Sequence, residues 1–166
     1  MRYRITKKSL LSLALGLIVL LAVRFLSAKE IRGQVVSIQD GDTITVLQGR
    51  TTCKVRLAAV DCPEKGQAFG NVAKQFTSDL VFGKAVKVKY EELDRYNRYL
   101  GTVYIGGKNL NKELLKAGLA WHYKQYSKDP VLAALEVKAR QDRKGLWSDP
   151  KAIPPWEFRR LKREKA

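Results

Sequence analysis

Histidine is nearly absent from this 166-residue chain, which has one, together with two cysteines. One imidazole and two cysteines not arranged as Cys-x-x-Cys make a poor ligand set for zinc. Cys53 and Cys62 are also poor partners for each other. A strand through residues 53–60 would hold their Cα atoms roughly 25 Å apart at about 3.3 Å per residue, so free thiols are expected. No Gly-x-x-x-x-Gly-Lys loop is present to cradle a nucleoside triphosphate, and no internal repeat or low-complexity tract appears. Acidic residues are scarce, 16 against 32 Lys and Arg, which leaves a formal charge of +16. Such an excess attracts polyanions through phosphate contacts and counterion release, although charge alone does not separate nucleic acid from anionic lipid.

The charge is unevenly spread. Residues 1–28 hold Arg2, Arg4, Lys7, Lys8 and Arg24 and no acid, and residues 10–23 form an almost continuous apolar run. A basic start followed by an apolar stretch reads as a secretory signal. The run is shorter than the roughly 20 residues of a comfortable span, but Phe25 and Leu26 extend it to residues 10–26 and Arg24 can snorkel. Cleavage after Ala28 would put Leu26 where a small residue is wanted, so a cleaved signal peptide and an uncleaved membrane anchor both remain open. Either way the basic end stays cytoplasmic and the domain is exported, to be periplasmic, secreted or anchored outside. The rest of the chain keeps 27 basic residues against 16 acidic ones.

A hydrophobic content of 45% suffices for one core rather than two. Residues 31–38 and 43–47 alternate toward apolar, and Gln48-Gly49-Arg50 turns the chain into a third strand predicted to run to Val60. Residues 68–81 place apolar side chains at helical spacing, with Gly83 at the C-terminal cap. Val86, Val88 and Tyr90 alternate in a fourth strand, and residues 100–105 form a fifth before Gly106-Gly107. Residues 109–117 read as a short helix ended by Gly118. Asp129-Pro130 opens another that reaches about Lys144 before Gly145. The expected class is α+β, mainly β: a five-stranded OB-fold barrel with about three helices. The expected organisation is a leader at 1–28, the barrel domain at 29–148 and an extended basic tail at 149–166.

Several ionic residues stand in a chemically suggestive order: Asp42 in Asp40-Gly-Asp-Thr43, Arg56 in Val55-Arg-Leu57, Asp61 and Glu64 in Asp61-Cys-Pro-Glu64, and Arg98 in Asp94-Arg-Tyr-Asn-Arg98. A phosphodiester is anionic and gains charge on its oxygens in the transition state, so catalysts of its cleavage crowd it with cations. Two carboxylates with a backbone carbonyl form a hard oxygen site suited to Ca²⁺. Asp42, Asp61 and the Cys62 carbonyl supply such a set. Arg56 and Arg98 can each donate paired N–H bonds to phosphate oxygens, and Glu64 is placed to orient or deprotonate a water. Each piece alone has an ordinary reading: Asp-Gly is a common turn, and Asp-x-Pro-Glu a common helix start. Arg56 is less easily dismissed, because an unpaired charge inside the apolar run 55–60 would be expensive.

Taken together and in this order, these four motifs resemble the thermonuclease family typified by staphylococcal nuclease, over roughly residues 31–148. The resemblance implies a calcium-dependent, sugar-nonspecific endonuclease that hydrolyses DNA and RNA and leaves 3′-phosphate products. It implies Asp42, Asp61 and the Cys62 carbonyl as calcium ligands, and Arg56, Glu64 and Arg98 as the catalytic trio. Cys62 stands where staphylococcal nuclease has threonine, and residues 64–70 are shorter than its mobile loop.

Bases of single-stranded nucleic acid often stack on aromatic faces, which makes Tyr96, Tyr123 and Tyr126 candidate contacts. Tyr96 lies in the motif that carries Arg98. Tyr123 and Tyr126 follow the short helix, where core packing explains aromatics equally well. His122 is expected to be structural, Trp147 and Trp156 to be packing residues, and the protein to be a monomer. The alternative from another class is a noncatalytic, membrane-tethered OB-fold module that binds nucleic acid without cutting it. A protein of anionic lipid surfaces is a further rival.

Overall fold

The computed structural model describes residues 29–165; the leader, with its proposed signal or anchor, lies outside the described residues. Among the described residues, eight strands and four α-helices follow one another in the order β1 (Lys29–Ile38), β2 (Thr43–Gln48), β3 (Thr51–Leu57), β4 (Val60–Asp61), α1 (Gly70–Val81), β5 (Ala85–Leu93), β6 (Tyr99–Ile105), β7 (Lys108–Asn109), α2 (Leu110–Lys116), β8 (Trp121–His122), α3 (Pro130–Gln141) and α4 (Pro155–Glu164). A short 3-10 helix at Gly145–Ser148 precedes α4.

Five of these strands close a barrel. β3, β2, β1, β5 and β6 are neighbours in that order, all antiparallel. The ring is completed by a parallel pairing of β3 with β6, Val55 against Tyr99 and Leu57 against Gly101. The period-two pattern of the strands explains the closure: Ile31, Val35, Ile44, Val46, Val55, Leu57, Val88 and Val103 all turn inward and are buried. Burying each such side chain contributes about 1.5–3 kcal/mol. This is the expected OB-type barrel.

The helices cover the barrel with the faces that their spacing predicts. α1 buries Gly70, Ala73, Thr77 and Val81, three or four residues apart. α2 starts where the Asn109 side chain accepts the Lys112 N–H, and it buries Leu110, Leu114 and Leu115. α3 starts as predicted, with Asp129 accepting from Val131 and Leu132 and Pro130 in the first turn. It stops sooner than expected, because Arg143 and Gly145 both adopt left-handed φ values.

Two local expectations are corrected. The third strand does not continue to Val60: Ala59, at φ 63°, breaks it, and the chain resumes as β4 against β8. The stretch expected to be an extended tail contains α4. Pro155 supplies the preset first turn, Glu157 lies near the positive end of the helix dipole, and Lys162 and Arg163 lie near its negative end. Cys53 and Cys62 are buried free thiols.

Candidate active site

The site grows from the register of β2 on β3. Thr43 pairs with Arg56 across the ladder, so the arginine emerges beside Asp42, one residue before the strand begins. The Leu57 N–H donates to the Asp42 carbonyl at 2.8 Å and locks the two chain segments together. The turn that carries Asp42 is tied down twice more. Its own N–H donates to Asp40 Oδ1 at 3.1 Å, and the buried Thr77 hydroxyl of α1 donates to the Gly41 carbonyl at 2.6 Å. A Cβ on Gly41 would lie 2.8 Å from the Cβ atoms of Ala73 and Cys62, so a glycine lets α1 and the Cys62 segment close on the turn.

The break after β3 then returns the chain to Arg56. The Ala58 N–H donates to Gly101, the Ala58 carbonyl accepts from Asn111, and the Ala59 carbonyl accepts from the Tyr123 N–H, which leaves the kink's backbone groups paired. β4 follows, with Asp61 opposite Trp121 and fully buried. Arg56 consequently lies between two carboxylates. It forms a close ion pair with Asp42, and its Nη2 is 2.5 Å from Asp61 Oδ1. The side chains of Asp42 and Asp61 are 1% and 0% exposed, so both charges depend on cations and donors within the protein. Asp42 Oδ2 also accepts the Cys62 N–H at 2.6 Å.

This donor set suits a hard cation. Burial pushes the Cys62 thiol well above its ordinary range, with Arg56 opposing only in part. Among the described residues, no three His, Cys, Asp or Glu side chains gather into a metal cluster. A cation at Asp42 and Asp61 would be held through oxygen atoms.

Glu64 stands at the edge of the cluster with its side chain 35% exposed. Its backbone is held by Gln67, whose Oε1 accepts the Glu64 N–H at 3.0 Å and whose N–H donates to the Glu64 carbonyl at 2.9 Å. A Cβ on Gly70 would meet that carbonyl at 2.2 Å, so glycine is needed at the start of α1 to let the loop pack down.

Asp42, Arg56, Asp61, Cys62 and Glu64 thus come together. Arg98 belongs to a separate arrangement on the β5–β6 turn. Asp94 Oδ1 accepts the backbone N–H groups of Tyr96 and Arg98, and Asp94 Oδ2 accepts the Arg98 side chain at 2.7 Å. Burial alone would raise the Asp94 carboxyl, but these bonds outweigh it and hold the group below its usual range. The guanidinium lies 5.4 Å from the centre of the Tyr96 ring, which is 68% exposed. Tyr123 and Tyr126 meet edge to face, and Tyr126 is 69% exposed.

One residue of the cluster escapes the sequence motifs. Arg159 of α4 donates to Asp61 Oδ2 at 2.9 Å and lies within bonding distance of Glu64. No spacing signal marks it, because it stands 95 residues after Glu64 in a run of charges. Trp156, one turn earlier, stacks on Tyr123 at 5.2 Å with 4° between the planes. His122, 3% exposed, has neither ring nitrogen hydrogen-bonded, and burial pushes its pKa down, in keeping with a structural role.

Comparison with known proteins places this geometry in context. Residues 54–149 match the family model described as staphylococcal nuclease homologue. An uncharacterised endonuclease of Escherichia coli is 46% identical over 134 residues, 80% of this chain and 88% of that protein. A micrococcal nuclease of Shigella flexneri is 46% identical over 158 residues, 89% of this chain and 91% of that one. An uncharacterised endonuclease of Haemophilus influenzae is 47% identical over 128 residues, 76% and 72% of the two chains.

Proposed function

The chain belongs to the staphylococcal nuclease family and is a nuclease hydrolase acting on nucleic acid, and on that premise we propose a calcium-dependent, sugar-nonspecific endonuclease of DNA and RNA that leaves 3′-phosphate ends. The observation that supports it best is the buried Asp42–Arg56–Asp61 cluster with Glu64 at its edge. Asp42, Asp61 and the Cys62 carbonyl would hold the calcium. When bound, the ion polarises the phosphate and neutralises developing charge.

The protein's own groups do the rest. Glu64, on the exposed side of the cluster, orients a water and takes its proton as the water attacks phosphorus in line. Arg56 donates to the phosphate oxygens as they gain charge, and being fixed by two buried carboxylates it loses little freedom in doing so. Arg98, held by Asp94 on the β5–β6 turn, supplies a second guanidinium for the same oxygens or the departing one. Tyr96 beside it and Tyr126, both exposed, offer ring faces to bases, with Tyr123, now stacked on Trp156, as a third contact, which favours single strands and tolerates any sequence. Residues 1–28 act as an export signal that puts the domain outside the cytoplasmic membrane.

The test is digestion of single-stranded DNA and RNA by the full chain in mild detergent, with Ca²⁺, Mg²⁺ or chelator, beside Glu64→Gln. Turnover is expected with Ca²⁺ alone and at least ~100-fold lower in the variant, the usual cost of losing a general base. Phosphatase treatment of the products should expose new 3′-hydroxyl ends. Salt-sensitive binding without cutting under every metal would refute the mechanism and leave a binding module.

A further inference from the structure

α4 covers the site with two side chains, one turn apart, that resemble its proposed ligands in chemistry. Arg159 lies between Asp61 and Glu64, bonding the first at 2.9 Å through Nη2 and the second through Nη1. Trp156 lies flat on Tyr123 at 5.2 Å and 4°, the arrangement a stacked base would adopt, and meets Trp121 edge-on at 5.8 Å. A guanidinium satisfies a buried carboxylate as a metal would, but it only donates hydrogen bonds and opens no coordination position to water or phosphate. While Arg159 is in place, a Glu64 oxygen is engaged by the protein instead of being offered to a water.

Most of the same helix faces solvent. Of its ten residues Pro155 is the buried one, while Trp156 and Leu161 are 37% and 36% exposed. Lys162 and Arg163, beside an Arg160 paired with Glu157 and Glu164, leave it net basic, a surface that a polyanion would attract. The segment before it is pinned by Gln67 Nε2, which donates to the Ile153 carbonyl at 2.8 Å, so the helix can swing without freeing the chain that leads to it.

We propose that α4 is a built-in competitor of the active site: Arg159 takes the Asp61 oxygen meant for the cation and the Glu64 oxygen meant for the water, Trp156 takes the stacking face of Tyr123, and metal and nucleic acid load only as the helix leaves. The inference rests on the assignment of Asp61 and Glu64 to the metal and the water, and its test separates the two. Calcium binding by the full chain in detergent is measured calorimetrically for the unmodified protein, Arg159→Ala, Trp156→Ala and Asp61→Asn. Amide exchange in residues 155–164 of the unmodified protein is followed with and without Ca²⁺.

If the docked helix is populated about nine times in ten, its removal tightens Ca²⁺ binding about 10-fold, because affinity scales with the competent fraction. The expected result is that gain in Arg159→Ala, a gain in the same direction in Trp156→Ala, loss of binding in Asp61→Asn, and faster exchange in residues 155–164 when Ca²⁺ is added. Unchanged affinity in both α4 variants, with binding still lost in Asp61→Asn, overturns the competitor and leaves the metal site standing. No calcium binding in any form, Arg159→Ala included, overturns both. The exchange measurement needs no variant, so it decides the matter even where a substitution fails to fold: protection of α4 unaltered by saturating Ca²⁺ also overturns the proposal.

Discussion

Replacing Arg56 by alanine removes the guanidinium that lies between two buried carboxylates. Asp61 keeps Arg159 after the change, with its 2.9 Å contact intact. Asp42 does not fare so well. Its side chain is 1% exposed, and its remaining partners are neutral donors, the Cys62 N–H at 2.6 Å and the Thr43 hydroxyl at 3.3 Å. Breaking a buried pair by deleting one partner costs about 3–5 kcal/mol, most of it the penalty of the stranded charge. For a domain of this size that is a fall in melting temperature of about 10–15 °C. Urea and thermal unfolding of the full chain, followed by tryptophan fluorescence in chelator at pH 7, measures the loss. The double variant Arg56→Ala/Asp42→Asn isolates its cause, since asparagine can still accept from the Cys62 N–H without carrying a charge; at least half of the lost stability should return. A loss under about 1 kcal/mol in the single variant, or a further loss in the double one, would refute the view that Arg56 is the counterion of Asp42.

Thr77→Val keeps the shape of a fully buried side chain and removes the donor to the Gly41 carbonyl, 36 residues away. It should cost about 1–3 kcal/mol in unfolding experiments and weaken calcium binding by loosening the turn that carries Asp42, while Thr77→Ser retains both. The pH dependence of stability should include contributions from two buried groups, Glu136 and His122. Burial would raise the Glu136 carboxyl, but Lys124 and Arg140 hold it below its ordinary value of 4.5. A depressed folded value means stability that is present above pH 4.5 and lost as pH falls through the folded pKa, and Glu136→Gln should flatten that part of a urea-midpoint profile. His122 is depressed from 6.5 by burial, so it too contributes stability that fades as pH falls below 6.5; a ring that titrates by NMR at its ordinary value would contradict this.

The barrel was legible because its signals are local and mutually consistent. Alternation in β1, β2, β5 and β6 fixes which side chains turn inward, and Asp129-Pro130 marks the start of α3 without help from the rest of the chain. The break at Ala59 was hidden for the opposite reason. Nothing in Val55-Arg-Leu-Ala-Ala-Val60 opposes a continuous strand, and the left-handed turn is imposed by partners far away: Asn111 on the Ala58 carbonyl and Tyr123 on the Ala59 carbonyl. Tertiary hydrogen bonds overrode a local preference there.

The motifs located the catalytic candidates but not what covers them. Asp42, Arg56, Asp61 and Glu64 lie within 23 positions of sequence and are gathered by one ladder register and one kink, so residues close along the chain are also close in space. Arg159 reaches the same carboxylates from a segment whose charges read as a solvated tail. What docks the helix is a pair of contacts with no periodic signature, Trp156 on Tyr123 and Arg159 on a buried acid, each needing the finished barrel before it exists. The carboxylates of Asp42, Asp61 and Glu64 are met in this structure by two guanidiniums, Arg56 and Arg159. On the proposed mechanism, what occupies Asp61 beside Glu64 sets the activity: a divalent ion would leave positions for water and phosphate, whereas Arg159 closes them.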